Sequence, residues 1–390
     1  MVAKTGFIIL LKSQRFWNIV FVFCAAIILV AAGLMVRRQL VPPVRRWGYI
    51  DKQGHFVVEP RFIKAYGFKN GFAEVVVPNH SKSARASSES ERDSEFDDTA
   101  CEHYVVSYTD RGDLDSIREI DKSGHLIARD LELPLISAKF DKKTRRYTFC
   151  YVRGGSEALR LSKFAWAYEF DRSGLAVVQR QSSSDSPLEL IDKNAKTVKV
   201  LPAEICTVSD HDVEESEGLR EFTIWPNEKE NECVGLSGFL NKDYQVVIQA
   251  RFRSAESFDD GLACVVSNDK TNRTQYIDKL GHIVLELPEN AIGSSFGDGL
   301  ACVDKADRWG SKFGFINKKG QYIIAPNFQS LSNCSSPRFS EGLAKVGVEF
   351  FGIRKFGFID RSGRFVIPPQ FEQARDFSEG LAAASVEVDR

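Results

Sequence analysis

Seven acidic or amide residues recur in one local context, each followed by Lys or Arg: Asp51, Asp121, Asp192, Asn241, Asp278, Asn317 and Asp360. Gathered on one rim, such side chains would attract cations or polar ligands. The plainer chemistry is a turn, in which each side chain bonds the backbone beyond it, as Asn does equally well. Three of the six histidines, His55, His125 and His282, directly follow the glycine of the same motif. Gln321 and Arg364 hold that place elsewhere, so the spacing reads as a polar strand position rather than a metal centre, with no supporting carboxylate evident. His80, His103 and His211 sit apart in insertions.

The chain has no nucleophile-elbow, phosphate-loop, HExxH or EF-hand pattern. "GLRE" at 218–221 is not a nucleophile context. Of eight cysteines, Cys24 lies in an apolar run. The other seven (Cys101, Cys150, Cys206, Cys233, Cys264, Cys302, Cys334) include no CxxC pair, which argues against a disulfide framework or zinc site. Cys264 and Cys302 share one repeat position, held elsewhere by Glu74, Val177, Lys345 and Ala383, and read as packing residues. No catalytic, cofactor-binding or metal residues are assigned, and an enzyme is not expected.

The elements that carry these residues repeat. The last four copies lie 37, 39 and 43 residues apart, whereas insertions stretch the earlier gaps to 70, 71 and 49. Within "FGFIDRSGRFVI", two β-rich runs flank a turn in which Gly363 supplies the positive φ of a short hairpin. Pro369 is expected to end the second strand. "DFSEG" turns the chain again, and "LAAASVEV" is the third strand. Three short strands per unit cannot bury their own hydrophobic face, so about seven units must stack. Copies two and three are degraded: Asp121 reaches its Gly-Leu-Ala only at Gly174, and Asp192 has Ala195 in place of the turn glycine.

Aromatic-Gly-aromatic-Ile-Asp-Lys-x-Gly, Val-Ile-x-Pro-x-Phe and Phe-Ser-Glu-Gly-Leu-Ala together resemble the bacterial WG (KWG) repeat. The resemblance covers about 47–77 and 236–388 strongly and 117–220 weakly. Only Trp47-Gly48 keeps the Trp, which Phe313-Gly314 and Phe356-Gly357 replace. The resemblance implies an all-β repeat domain, often membrane-linked or secreted, and brings no functional residues. The first unit lacks a Gly-Leu-Ala strand before it, and the last ends with one at 381–388. Pairing the two would remove both exposed edges, which favours a closed, propeller-like toroid over an open superhelix.

Residues 19–36 are eighteen consecutive apolar or small residues, about 27 Å as a helix and roughly one hydrocarbon core. A basic N-terminus (1–16), a transmembrane helix or signal anchor (17–36) and a basic linker (37–46) therefore precede the repeat domain (47–390). A cleaved signal peptide is the rival, with a shorter usual apolar core. Three basic residues precede the span and four follow it, so charge does not orient it. The expectation is a single-pass protein of the bacterial inner membrane with an exported body. Seven of 52 basic residues and none of 53 acids lie in the first 46, so the remainder carries −8 and offers no nucleic-acid surface. Lys142, Lys143, Arg145 and Arg146 read as a solvated loop.

Insertions interrupt the repeats at 78–118, 131–170 and 205–235. Residues 79–98 read as disordered by composition. The 131–170 segment holds Phe140, Tyr147, Phe149, Tyr151, Phe164, Trp166, Tyr168 and Phe170, expected as strands elaborating the second unit. The functional expectation is a non-enzymatic binding or scaffold module, tethered by one helix, that engages a protein or polysaccharide partner without a cofactor. The alternative is an envelope sensor binding glycan or ligand through the 131–170 aromatics. An uncharacterised hydrolase ranks third, since it needs paired carboxylates in a deep pocket.

Overall fold

The computed structural model describes residues 44–78, 117–127, 135–141, 146–152, 160–168, 170–171, 173–181, 186–209, 217–225, 235–307, 310–330 and 336–388. The expected membrane span at 17–36, the segment 79–98 and the basic residues 142–145 lie outside them. Among the described residues no helix is long and apolar enough to cross a membrane. The described residues are all-β, and every strand pair among them is antiparallel.

Sheet one is built from both ends of the chain. Val44–Ile50 pairs with Phe56–Phe62 on one side and with Ala382–Val388 on the other, and Gln373–Ala374 completes it. The terminal pairing runs from Val44↔Val388 to Ile50↔Ala382 without a break. Sheet two holds Lys64–Ala65, Phe72–Val76, Ile117–Asp121 and Leu126–Ile127. Sheet three holds Trp166–Ala167, Leu175–Gln179, Leu188–Asp192 and Thr197–Val200.

Sheets four and five share the ten-residue strand Val246–Ala255. Its first part pairs with Leu236–Asn241 (Ile248↔Phe239) and its last with Ala263–Ser267 (Ala255↔Val265). Ile205–Val208 and Leu219–Ile224 complete sheet four, and Thr274–Ile277 and Ile283–Glu286 complete sheet five. Sheet six contains Ala291–Gly297, Leu300–Asp307, Gly310–Ile316 and Tyr322–Gln329. Sheet seven contains Phe339–Ser340, Leu343–Phe350, Ile353–Asp360 and Phe365–Phe371. An additional sheet of Leu135–Asp141, Arg146–Val152 and Arg160–Phe164 lies between sheets two and three in the chain.

Each unit therefore has four strands, where three were expected. The fourth is the short piece after the hairpin, such as Gln373–Ala374, which pairs with the Gly-Leu-Ala strand of the unit that follows (Gln373↔Ser385). Pro369 does not end its strand either: Phe365–Phe371 runs through it, and the register shifts between Phe356↔Phe371 and Phe358↔Ile367. A bulge leaves a backbone N–H unused, so proline costs no ladder bond there. The same bulge explains the glycine of the aromatic-Gly pair. A Cβ on Gly48 would stand 2.4 Å from the Val58 carbonyl oxygen, and one on Gly357 2.5 Å from that of Ile367.

Neighbouring sheets are joined by buried aromatic pairs. Tyr49–Phe68, Phe239–Phe258, Phe315–Phe339 and Phe358–Phe377 all meet edge to face with centroids 4.8 Å apart, and Tyr276–Phe296 at 4.9 Å. Each pair takes one ring from a hairpin strand and one from the next unit. Such contacts add about 0.5–1.5 kcal/mol beyond area burial. Apolar clusters span the junctions from sheet three through sheets four, five, six and seven to sheet one, and from one to two.

Candidate interaction surface

In every unit the Gly-Leu-Ala strand starts at the same end at which the first hairpin strand stops. One end of each sheet thus carries two turns, and the other carries the connection between those strands.

At the turn end the seven Asp/Asn residues build their own turns. Each Oδ1 accepts the backbone N–H groups two and four residues on, at 2.8–3.1 Å. The Ser123 hydroxyl, then the His125 N–H, hold Asp121 below the usual carboxylate range, and the His282 N–H does the same for Asp278. Ala195 adopts φ 60°, taking up the backbone of the glycine it replaces. Asp171 forms an eighth such turn, bonding the N–H groups of Ser173 and Leu175. Gly174 closes this four-residue turn (Gly174 N–H to Asp171 carbonyl) rather than the two-residue turn found elsewhere. The histidines stay apart: His55, His125 and His282 each lie within 3.2–3.7 Å of their own turn carboxylate and point to solvent. Among the described residues no three His, Cys, Asp or Glu gather as a metal site.

A second set of acids sits in the two-residue turns, at positive φ beside glycine: Glu217, Asp260, Asp298, Glu341 and Glu379. Each carboxylate crosses to the next sheet and accepts the N–H of that sheet's turn glycine. The bonds are Glu217 to Gly261 (3.0 Å), Asp260 to Gly299 (2.5 Å), Asp298 to Gly342 (2.6 Å), Glu341 to Gly380 (2.9 Å) and Glu379 to Gly71 (2.8 Å). The basic residue of the hairpin motif completes the clasp. Lys52 reaches Glu341, Lys122 reaches Glu379 and Lys279 reaches Glu217 at 3.0–3.2 Å, while Lys318 and Arg361 donate to the Asp260 and Asp298 carbonyls. One clasp therefore staples each of five junctions, from sheet four round to sheet two. The recurrent Asp-Lys and Glu-Gly pairs are structural, and the sequence signal was present in both motifs without showing that they meet.

Sheet four departs from this plan. Arg220 stands where the other Gly-Leu-Ala strands have Ala, and Tyr244 stands at the turn-glycine position with φ 55°. Arg220 is buried over the Tyr244 ring (5.1 Å) and 3.8 Å from Asp171, too far for a hydrogen bond. Next to it, Glu221 occupies the position of Cys264 and Cys302. Burial pushes its carboxyl up to about 7, although the Ser237 hydroxyl donates to it at 2.8 Å and opposes the shift; the charge of Glu256 adds to it. A shallow cleft of about 230 Å³ opens beside it, lined by Tyr168, Thr207, Ser209, Glu221 and Thr223 among others. Cys264 and Cys302 are buried, free and raised by burial.

The far end is different. The connections there are the segments 77–116, 180–187, 225–235, 268–273, 308–309 and 351–352, and the additional sheet is also attached at this end. Large apolar side chains stand free there: Trp225 at 54% exposure, Phe350 at 71% and Phe351 at 90%. Of the 131–170 aromatics, whose exposure the sensor alternative would need, Phe164 is buried, and Trp166 and Phe170 pack partly buried against the same cluster. The side chains of Phe140, Tyr147, Phe149 and Tyr151 lie outside the described residues.

Four stretches, 47–77, 238–270, 313–349 and 356–387, match the WG containing repeat. The chain therefore carries repeats of the WG family. No curated protein matches it. Among solved structures, it is similar to one described as a eukaryotic initiation factor, with 8% identity, a TM-score of 0.41 and coverage of 85% of this chain and 79% of that one. It is also similar to the β-propeller domain of the Trilobed protease from Pyrococcus furiosus (6%, TM-score 0.40, covering 80% and 99%). For dipeptidyl peptidase 4 from Porphyromonas gingivalis the values are 13%, 0.39, 64% and 49%. Likenesses at this level assign no activity to the chain.

Proposed function

We propose that this WG-repeat chain is a membrane-anchored, non-enzymatic scaffold whose seven sheets form a propeller-like ring and whose far end engages a protein or polysaccharide partner. The observation that carries the reading is the division of labour between the two ends. At the turn end the recurrent Asp/Asn side chains are used within their own turns, and the second set of acids with the basic residues is used between sheets. At the far end nearly all the insertions attach, with the segment 210–216 as the exception. There stand Trp225, Phe350 and Phe351, the described aromatic side chains more than half exposed, although the aliphatic Leu280 is exposed at the turn end. Repeat proteins place insertions on their binding face in this way.

Two observations support the ring: the terminal strands pair over seven residues, and apolar clusters join six consecutive junctions. The anchor at 17–36 and the exported body remain part of the proposal. The aromatics described in 164–170 pack inward, so those residues give the sensor reading no exposed patch.

Photo-crosslinking in cells tests the reading. A photoreactive residue at Trp225 or Asn268 is expected to give a discrete crosslinked product, and one at Lys319 or Gln53 none. Products confined to the turn-end positions, or absent from both ends, would overturn it. An impermeant maleimide applied before lysis should reach Cys206, which is half-exposed, whereas labelling only after lysis would place the body in the cytoplasm.

A further inference from the structure

We infer that the hairpin tip of sheet seven, Val348 to Ile353, inserts into the interfacial layer of the bilayer that holds the anchor; this rests on the proposed anchor at 17–36. The tip is a two-residue turn, Phe351-Gly352, at φ 50° and 76°. Turns of this kind favour Asn, Asp or Gly at the first position, and a bulky residue there is strained. The fold nevertheless holds Phe351 in that conformation at 90% exposure. Phe350 lies against it edge to face at 4.3 Å, and Ile353 (62%) and Val348 (39%) extend the apolar surface. A water-exposed finger of four large apolar side chains is a docking element rather than a scattered surface residue.

The position of the chain entry indicates what covers it. In sheet seven, Lys345↔Phe358 leads outward in five residues to Phe350↔Ile353. In sheet one, Ala383↔Tyr49 leads outward in five residues to Val388↔Val44. The two sheets are neighbours, stapled through Lys52–Glu341 and Phe358–Phe377. Phe351 and Val44 therefore lie at the same end of adjacent sheets. Residues 37–43 alone separate Val44 from the apolar run, so Val44 stays within about 28 Å of the run even with the linker fully extended. Arg45 and Arg46 stand at the entry, and Arg37 and Arg38 precede it in sequence. These suit anionic headgroups around an apolar tip, the composition of an interfacial contact.

The test uses the full chain, with its exposed cysteines replaced by serine and an environment-sensitive fluorophore attached at Phe351→Cys or, as the turn-end control, at Lys319→Cys. Each is reconstituted into phosphatidylcholine vesicles containing phosphatidylglycerol. The expected result is co-flotation with the vesicles, a blue-shifted emission at 351 that lipids brominated near the headgroup quench, and water-like emission at 319. Co-flotation with unquenched, water-like emission at 351 overturns the finger and leaves the anchor standing. Failure to float overturns the anchor and this inference with it.

Discussion

The two ends of each sheet are made from the same strands yet follow opposite rules. At the turn end, Glu341 accepts from Gly380 and pairs with Lys52, and four other junctions repeat this clasp. The backbone is held between neighbours, so a residue there has little freedom to serve anything else. At the far end the connections range from the two-residue Phe351-Gly352 turn to the segment 77–116. A β-repeat array needs shape only where units touch, and one end can supply that contact while the other varies. Sheet four shows the limit of the rule: Arg220 and Tyr244 replace Ala and Gly, and a buried cation lies over an aromatic ring within that sheet.

The sharpest contrast between the ends is Phe358→Ala against Phe351→Ala. Phe358 is fully buried against Phe377, so its truncation should cost about 3–5 kcal/mol in denaturant unfolding. At Phe351 the loss should be within about 0.5 kcal/mol. Equal effects would dissolve the distinction.

Glu221 probes the exceptional sheet. Its carboxyl is raised to about 7, so the folded state holds a proton that the unfolded chain releases. Its contribution is fully present below the ordinary glutamate value and is lost as pH rises from there through about 7. Glu221→Gln should flatten that dependence and gain on the order of 3 kcal/mol relative to the parent between pH 4 and pH 8. Parallel pH–stability curves would refute the burial argument.

Gly314→Ala tests the bulge contact, since its Cβ would meet the Ile324 carbonyl oxygen at 2.4 Å. A loss of about 1–3 kcal/mol in thermal or chemical melts is expected. The smallest effect should come from Glu379→Gln. Burial opposes ionisation of Glu379, but bonds from Lys122 and the Gly71 N–H outweigh it and hold its carboxyl below the usual range. Its stabilisation is present above the ordinary glutamate value and is lost as pH falls through the lowered one. Because the pair is partly exposed, the change at pH 7 should stay below about 1 kcal/mol and shrink in high salt. A loss confined to acid pH would contradict the clasp.

The sequence determined the repeat by itself. Its Asp/Asn turns, positive-φ glycines and alternating strands follow local backbone sterics and short-range bonding, which act within a few residues of chain. The same logic predicted that 381–388 completes the first unit, because an unpaired edge is exposed at each end. Local logic misplaced Pro369, whose strand continues because a bulge spares the N–H, and it missed the fourth strand, whose partner belongs to the next unit. Only the tertiary structure decided that Glu379 meets Gly71 and Lys122, that Arg220 finds Tyr244, and that the insertions share an end with the Phe351 tip. Those relations join residues up to 308 positions apart, and the geometry of stacked sheets, not the spacing along the chain, brings them together.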